Sequence, residues 1–348
     1  MATIKEIAEK AGVSITTVSR VLNKDTSLSI TTKKKKLIFE IADDLDYVSP
    51  KNRKISRISN IYKNITIRCV LLNTLEEELD DPYYLSIHHA VRSAANRRQV
   101  GFEEVFYRGA SDLPRISGAA DGTIIIGSAG SCDESLISDI LAERPVSVCV
   151  DFDPGVPRPD RVLADFRPSI SELVDHFIAA GHRRIGYIGG REQEVPGSPA
   201  VFQDVREALL HSALAEHGLE AEAVFLCEGG YNHENGHRLM QRLLRAGDRP
   251  TAVHVATDNM AVGAYKAIAD AGLRVPDDLA LVGCNDQAGA EYMNPPLSSI
   301  RVRTTLMGTA ALGLALDRIL EPRETGLTLS VPTTLVLRES SRAAVKEG

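Results

Sequence analysis

The first 47 residues constrain the fold most, because three short amphipathic helices are punctuated there at fixed places. Thr3 and Glu6 have capping-box spacing, so a helix opens at Ile4. Ile4, Ile7, Ala8 and Ala11 recur at i, i+3, i+4 and i+7, which puts one apolar stripe on that helix. Gly12 stops it, and Gly12-Val-Ser14 makes a short turn. Ser14 caps a second helix over Ile15–Leu22, with Val18 and Leu22 expected to face inward. A polar loop over 23–29 follows. Thr31 then caps a third helix, striped by Ile38, Ile41, Ala42 and Leu45. Three short helices with a glycine turn between the first two predict a helix-turn-helix, whose second helix enters the major groove of double-stranded DNA. An ordinary three-helix bundle would share the helices, but turn, caps and charge all agree on the first reading.

Charge supports it. Residues 1–63 carry 13 Lys/Arg and 7 Asp/Glu, a net of +6, while the remainder carries 27 and 40, a net of −13. A small basic head on a large acidic body is suited to meet a polyanion with the head alone. The run Lys33–Lys36 fits a phosphate-contacting or solvated face better than a base-reading one.

Other classes are disfavoured. No apolar run reaches the ~18 residues that read as a membrane span. The opening residues lack the apolar core of a signal peptide. Cys69, Cys132, Cys149, Cys227 and Cys284 are scattered, odd in number and form no CxxC pair. A disulfide framework or structural zinc site is therefore not expected, and a reducing cytoplasm is. No cofactor is expected.

The wording of the head is more specific than its pattern. Thr3-Ile-Lys-Glu-Ile-Ala-Glu-Lys-Ala-Gly-Val-Ser14 and Thr17-Val-Ser-Arg-Val-Leu-Asn23 closely resemble the signature of the LacI/GalR family of transcription regulators. The resemblance implies that Ile15, Thr16 and Arg20 contact bases. It implies that Ser14, Thr17, Ser19 and Asn23 position phosphates. Arg20 also has a chemical warrant, since its fork suits guanine O6 and N7. After Tyr47 the family has a proline two residues on, then a short hinge helix with an Ala-Arg-x-Leu core whose Leu wedges into the minor groove. Here Pro50 comes one place late and that Leu is missing. Arg53 and Ile55 remain as DNA contacts, with Ile55 the candidate wedge. The alternative is a disordered basic linker running to about Asn64.

From about Thr66 strand and helix patterns alternate. Strands are expected at 67–72, 122–126, 146–150, 184–188, 252–256 and 279–282. Helices are expected at 84–98, 169–180, 202–217, 234–246 and 260–271. Repeated strand–helix units give an α/β body of parallel sheets with helices on both faces. Ligands of such sheets bind beyond the carboxyl ends of the strands.

The phrases Asp81-Pro-Tyr-Tyr84, Asp121-Gly122, Gly181-His-Arg-Arg-Ile-Gly186, Pro250-Thr-Ala252, Gly272-Leu-Arg-Val-Pro276 and Pro295-Pro-Leu297 resemble the family's sensor, which has the periplasmic sugar-binding-protein fold. The resemblance covers roughly 2–342. It implies a head at 1–47, a hinge or linker at 48–65, and a two-lobed sugar-sensing and dimerisation domain at 66–342. Chain crossings between the lobes are expected near Leu163, Ala288 and Pro322. Carried over residue by residue, the sugar contacts are Asp151, Arg206, Tyr231, Thr257, Asn285 and Asp286. Carboxylates and Arg bind vicinal hydroxyls, and a Tyr ring covers a pyranose C–H face. The family often has Asn where Thr257 stands and Asp where Asn285 stands. Asp80-Asp-Pro-Tyr-Tyr-Leu-Ser-Ile87, Asp204-Val-Arg-Glu207 and Asn285-Asp286 are most similar to family members that control a β-galactosidase operon, which implies a galactoside-like effector. One helix-turn-helix reads one half-site, so a homodimer is expected.

His233-Glu-Asn-Gly-His237 matches H-E-x-x-H, the zinc-hydrolase motif. Gly236 weakens the helix that must hold both histidines, and no third ligand is evident downstream. The expected function is therefore a sugar-controlled repressor and not an enzyme. A plain sugar-binding protein is the alternative, and a zinc hydrolase the remote one.

Overall fold

A computed structural model of the chain describes residues 3–23, 25, 28, 30–45, 47, 62–73, 81–112, 119–128, 136, 146–190, 204–220, 224–228 and 230–342. The chain divides into two compact units, residues 1–64 with 98–100, and residues 65–97 with 101–348.

The first unit holds α1 (Ile4–Ala11), α2 (Ile15–Leu22) and α3 (Thr32–Asp44). The capping box at α1 is complete: Glu6 N donates to Thr3 Oγ1 at 3.3 Å and Thr3 N to Glu6 Oε2 at 3.0 Å. Gly12 has φ +62°, the left-handed conformation that closes α1 and redirects the chain. Ser14 Oγ accepts from Thr17 N at 3.1 Å and starts α2. Ile7, Ala8, Ala11, Val18, Val21, Ile38 and Ala42 form the core. Val21, three residues after Val18, is buried more fully than the expected Leu22.

The second unit contains two six-stranded sheets, one per lobe. The first comprises β1 (Thr66–Leu71), β2 (Gly101–Phe106), β3 (Gly122–Ile126), β4 (Ser147–Val150), β5 (Asp160–Asp165) and β11 (Thr328–Pro332), in the order β11-β5-β4-β3-β1-β2. Every pairing in it is parallel. The second comprises β6 (Ile185–Gly189), β7 (Val224–Cys227), β8 (Ala252–Val255), β9 (Ala280–Asn285), β10 (Ser298–Arg301) and β12 (Thr334–Val336), in the order β12-β10-β9-β8-β6-β7. Only β12 runs antiparallel, against β10. β3, β4, β6, β8 and β9 are buried along their whole length, which is why they read as unbroken apolar runs.

The helices are α4 (Tyr83–Arg98), α5 (Arg167–Ala179), α6 (Val205–Glu216), α7 (His233–Leu244), α8 (Asp258–Asp270) and α9 (Thr304–Leu320). α9 packs on β3, β4 and β5, so the chain returns to the first lobe between β10 and α9. The lobe crossings therefore lie between β5 and α5, between β10 and α9, and between β11 and β12. Only the first is close to an expected position. The expected crossings at Ala288 and Pro322 are displaced, because the sequence pattern did not reveal β10, α9, β11 and β12. The crossing segments are tied together: Thr333 Oγ1 donates to Asp165 O at 2.8 Å.

Candidate functional site

In the first unit the DNA-reading candidates gather on α2. Ile15, in its first turn, is 48% exposed although apolar, and Thr16 is exposed beside it. The hydroxyls of Ser14 and Thr17 are 2.8 Å apart and hydrogen-bonded. Ser19 is half-buried. Asn23 ends the helix, with its N–H on Ser19 O at 3.0 Å. Arg20 Nε donates to Asp25 Oδ2 at 2.7 Å, which limits the guanidinium's range without burying it. Arg53 and Ile55 lie outside the described residues.

In the second unit a polar cluster forms past the carboxyl ends of the strands. From the first lobe, Asp151 follows β4, and its Oδ1 accepts from Tyr83 Oη at 3.0 Å. Desolvation and Asp151 push the Tyr83 phenol well above its usual range. Asp81 Oδ1 accepts from Tyr83 N at 3.1 Å and, from the other lobe, from Gln287 Nε2 at 2.6 Å. Burial raises the Asp81 carboxyl above the ordinary carboxylate value.

From the second lobe, Asp204 caps α6 and grips Arg206. Arg206 Nε donates to Oδ1 at 2.9 Å and Nη2 to Oδ2 at 2.6 Å, a bidentate pair. Arg206 Nη1 donates to Ala256 O and Tyr231 Oη to Asp204 Oδ2, at 2.6 and 2.8 Å. The rings of Phe166 and Tyr231 lie 5.9 and 5.1 Å from the guanidinium carbon. Burial alone would raise the Asp204 carboxyl, but Arg206 and Tyr231 hold it below the usual range. Burial opposes the Arg206 charge, but Asp204 holds its pKa well above the ordinary value.

Thr257 is buried and caps α8, accepting from Met260 N at 3.1 Å. Asn285 ends β9 and is buried. The Asp286 carboxylate meets Arg301 Nε at 2.6 Å and Arg338 Nη2 at 2.7 Å. Four described non-glycine residues have positive φ, and three of them are Asp151 (+73°), Asn285 (+102°) and Asp286 (+53°). Backbone held in this sparsely populated region tends to cluster where ligands are gripped.

Arg206 and Tyr231 thus meet through Asp204, and Arg206 reaches Thr257 through its neighbour Ala256. Asp151 joins through Tyr83, while Asp286 is turned to Arg301 and Arg338. Sequence reasoning did not single out Asp81, Tyr83, Phe166, Asp204 or Gln287. The phrases Asp81-Pro-Tyr83 and Asp204-Val-Arg206 contain three of these five, but which side chains pair is decided only when the lobes fold together.

Beneath the cluster sits Asp258. Its Oδ1 accepts from Ser299 Oγ at 2.6 Å and its Oδ2 from Gln287 N at 2.7 Å. Burial, with Asp286 and Asp81 nearby, pushes its carboxyl up to about 7.

The H-E-x-x-H segment starts α7 behind an Asn232 cap. His237 Nε2 lies 3.4 Å from Asp270 Oδ2. Gly236 and Gly263 serve packing: a Cβ on Gly236 would strike the Met260 carbonyl, and one on Gly263 the His233 carbonyl. Among the described residues no three His, Cys, Asp or Glu side chains could hold a metal ion.

Fold and sites together define a class: a helix-turn-helix DNA-binding regulator with a two-lobed, periplasmic-binding-protein-like body. Residues 3–50 match the bacterial regulatory proteins of the lacI family, and residues 174–341 match the periplasmic binding protein-like domain. The HTH-type transcriptional repressor MelR of Bacillus subtilis (strain 168) is 32% identical, over 100% of this chain and 99% of its own length. The HTH-type transcriptional regulator GanR of the same organism is 31% identical, over 98% and 99%. The solved complex of transcriptional regulator CelR with cellobiose superposes with a TM-score of 0.67 at 27% identity, covering 98% of this chain and 100% of CelR. The Lac repressor dimer bound to operator and the anti-inducer ONPF shares the fold, with a TM-score of 0.67 at 23% identity over 98% and 99%.

The chain belongs to the LacI family. It is a DNA-binding transcription regulator and not an enzyme.

Proposed function

We propose that this regulator represses a carbohydrate-utilisation operon as a cytoplasmic homodimer, and that a saccharide held between its lobes sets its affinity for operator DNA. The Asp204–Arg206–Tyr231 cluster carries the reading, because it holds a pre-oriented guanidinium, a phenol and an aromatic ring together, with Asp81 of the other lobe near Arg206 and Asp151 joined through Tyr83. Such a set suits vicinal hydroxyls above a C–H face. Asn285 completes the ligand set, with Thr257 and Asp286 in support. A galactoside is the effector favoured by the sequence phrases around Asp81, Asp204 and Asn285. The cellobiose in the CelR complex supports a saccharide in general.

The domain bounds proposed are 1–47 for DNA reading, 48–65 for the hinge with Arg53 and Ile55, and 66–342 for sensing and dimerisation. Ile15, Thr16 and Arg20 read bases, while Ser14, Thr17, Ser19 and Asn23 set the register on phosphates. Bridging by sugar favours the closed lobe arrangement, and the hinges pass that change to the head.

The test is a reporter gene behind an operator selected from random DNA with the purified protein. Galactosides should relieve repression by the wild type, and Arg206→Ala should still repress but ignore the sugar. A full wild-type response in Arg206→Ala would remove Arg206 from the site and defeat this assignment.

A further inference from the structure

We propose that the cleft is built for an uncharged polyol and rejects anionic sugars, sugar phosphates and uronates included. This inference rests on the sugar-sensing reading above.

Arg206 is the guanidinium that would have to receive a ligand's negative charge. Two of its five N–H donors go to the Asp204 carboxylate and one to the Ala256 carbonyl, and the buried Cys284 thiol is a further hydrogen-bond partner. The Asp204 side chain is 4% exposed, so its charge is not screened by water and largely cancels that of Arg206. What remains is a polarised, nearly neutral donor edge between the Phe166 and Tyr231 rings.

The other charged groups of the cluster are carboxylates. Asp151 and Asp81 face it from the first lobe, and Asp81 lies close enough to Arg206 for their charges to interact. The next cations of the second lobe, Arg301 and Arg338, share the single Asp286 carboxylate. Among the described residues, then, the Asp81, Asp151, Asp204 and Asp286 carboxylates outnumber the Arg206, Arg301 and Arg338 guanidiniums by one.

Carboxylates of this kind accept hydrogen bonds from sugar hydroxyls. They repel a phosphate, which carries about −1.5 to −2 at pH 7. Discrimination of this sort comes from the repulsive partner more than from the attractive one. The same geometry would serve an anion only if Arg206 were released from Asp204, which would leave a buried carboxylate uncompensated.

Isothermal titration calorimetry on the full chain provides the test. One arm uses galactose, lactose and cellobiose. The other uses galactose 6-phosphate, lactobionate and galacturonate, with galacturonamide as the neutral isostere of galacturonate. At least one neutral sugar should bind, its charged counterpart should bind ~100-fold more weakly or worse, and galacturonamide should outbind galacturonate. Equal or tighter binding of a charged sugar than of its neutral counterpart would overturn the inference and leave the sugar-sensing reading standing. Binding of no sugar in either arm would overturn that reading, and this inference with it.

Discussion

Asp258 shows how one buried carboxyl links the effector cluster to pH. It holds Gln287 N and Ser299 Oγ, and the Gln287 side chain reaches Asp81 in the other lobe. Burial pushes its carboxyl up to about 7 in the folded chain, whereas an unfolded Asp titrates near ~4. The folded state therefore binds the proton more tightly. Its stabilising contribution is complete below the unfolded value and is lost as pH rises through the folded one. Between pH 5 and 8 the loss is about 2–3 kcal/mol. Asp258→Asn keeps an acceptor for Gln287 N and removes the titration, while its amide N–H faces Ser299 Oγ, which must then accept instead of donate. Thermal melts should show the variant gaining on the wild type as pH rises from 5 to 8. A stability difference that stays flat over that range would mean that Asp258 is already ionised at pH 5.

At the scale of elements, α7 and α8 make the most extensive helix contact of the second lobe, and Gly236 and Gly263 let their backbones approach. Two effects oppose each other there. Alanine is the better helix former by about 1 kcal/mol, but overpacking typically costs about 1–3 kcal/mol. The obstacle at Gly236 is the Met260 backbone and not the end of a flexible side chain, so the clash should win. Gly236→Ala is expected to lower the urea midpoint, whereas a midpoint equal to or above the wild type would show that the helices separate at little cost. The head was legible in the sequence because its signals are local: Thr3 with Glu6, Gly12 and Ser14 each act within four residues. The buried central strands were legible as apolar runs. α9 was not, because it is apolar on most sides and has no polar stripe to set its period. β2 was missed because Glu103 and Glu104 interrupt it, and both are paired to side chains distant in sequence. β11 and β12 are short edge strands that expose much of their length, so they depend on partners the local sequence does not show.

At the scale of the whole molecule, a DNA-reading unit is followed by a sensor whose two lobes meet through Asp81–Gln287 and are linked by three chain crossings. Effector and operator are expected to bind to one coupled system. Typical couplings of about 1–3 kcal/mol change affinity 5–150-fold, and linkage requires the change to be the same in both directions. The most direct measurement is a fluorescence-anisotropy titration of selected operator DNA with the full chain, with and without saturating galactoside, paired with a sugar titration with and without saturating operator. Sugar should weaken operator binding by a factor in that range, and operator should weaken sugar binding by the same factor. Superimposable operator curves, under conditions where calorimetry shows the sugar bound, would contradict that coupling.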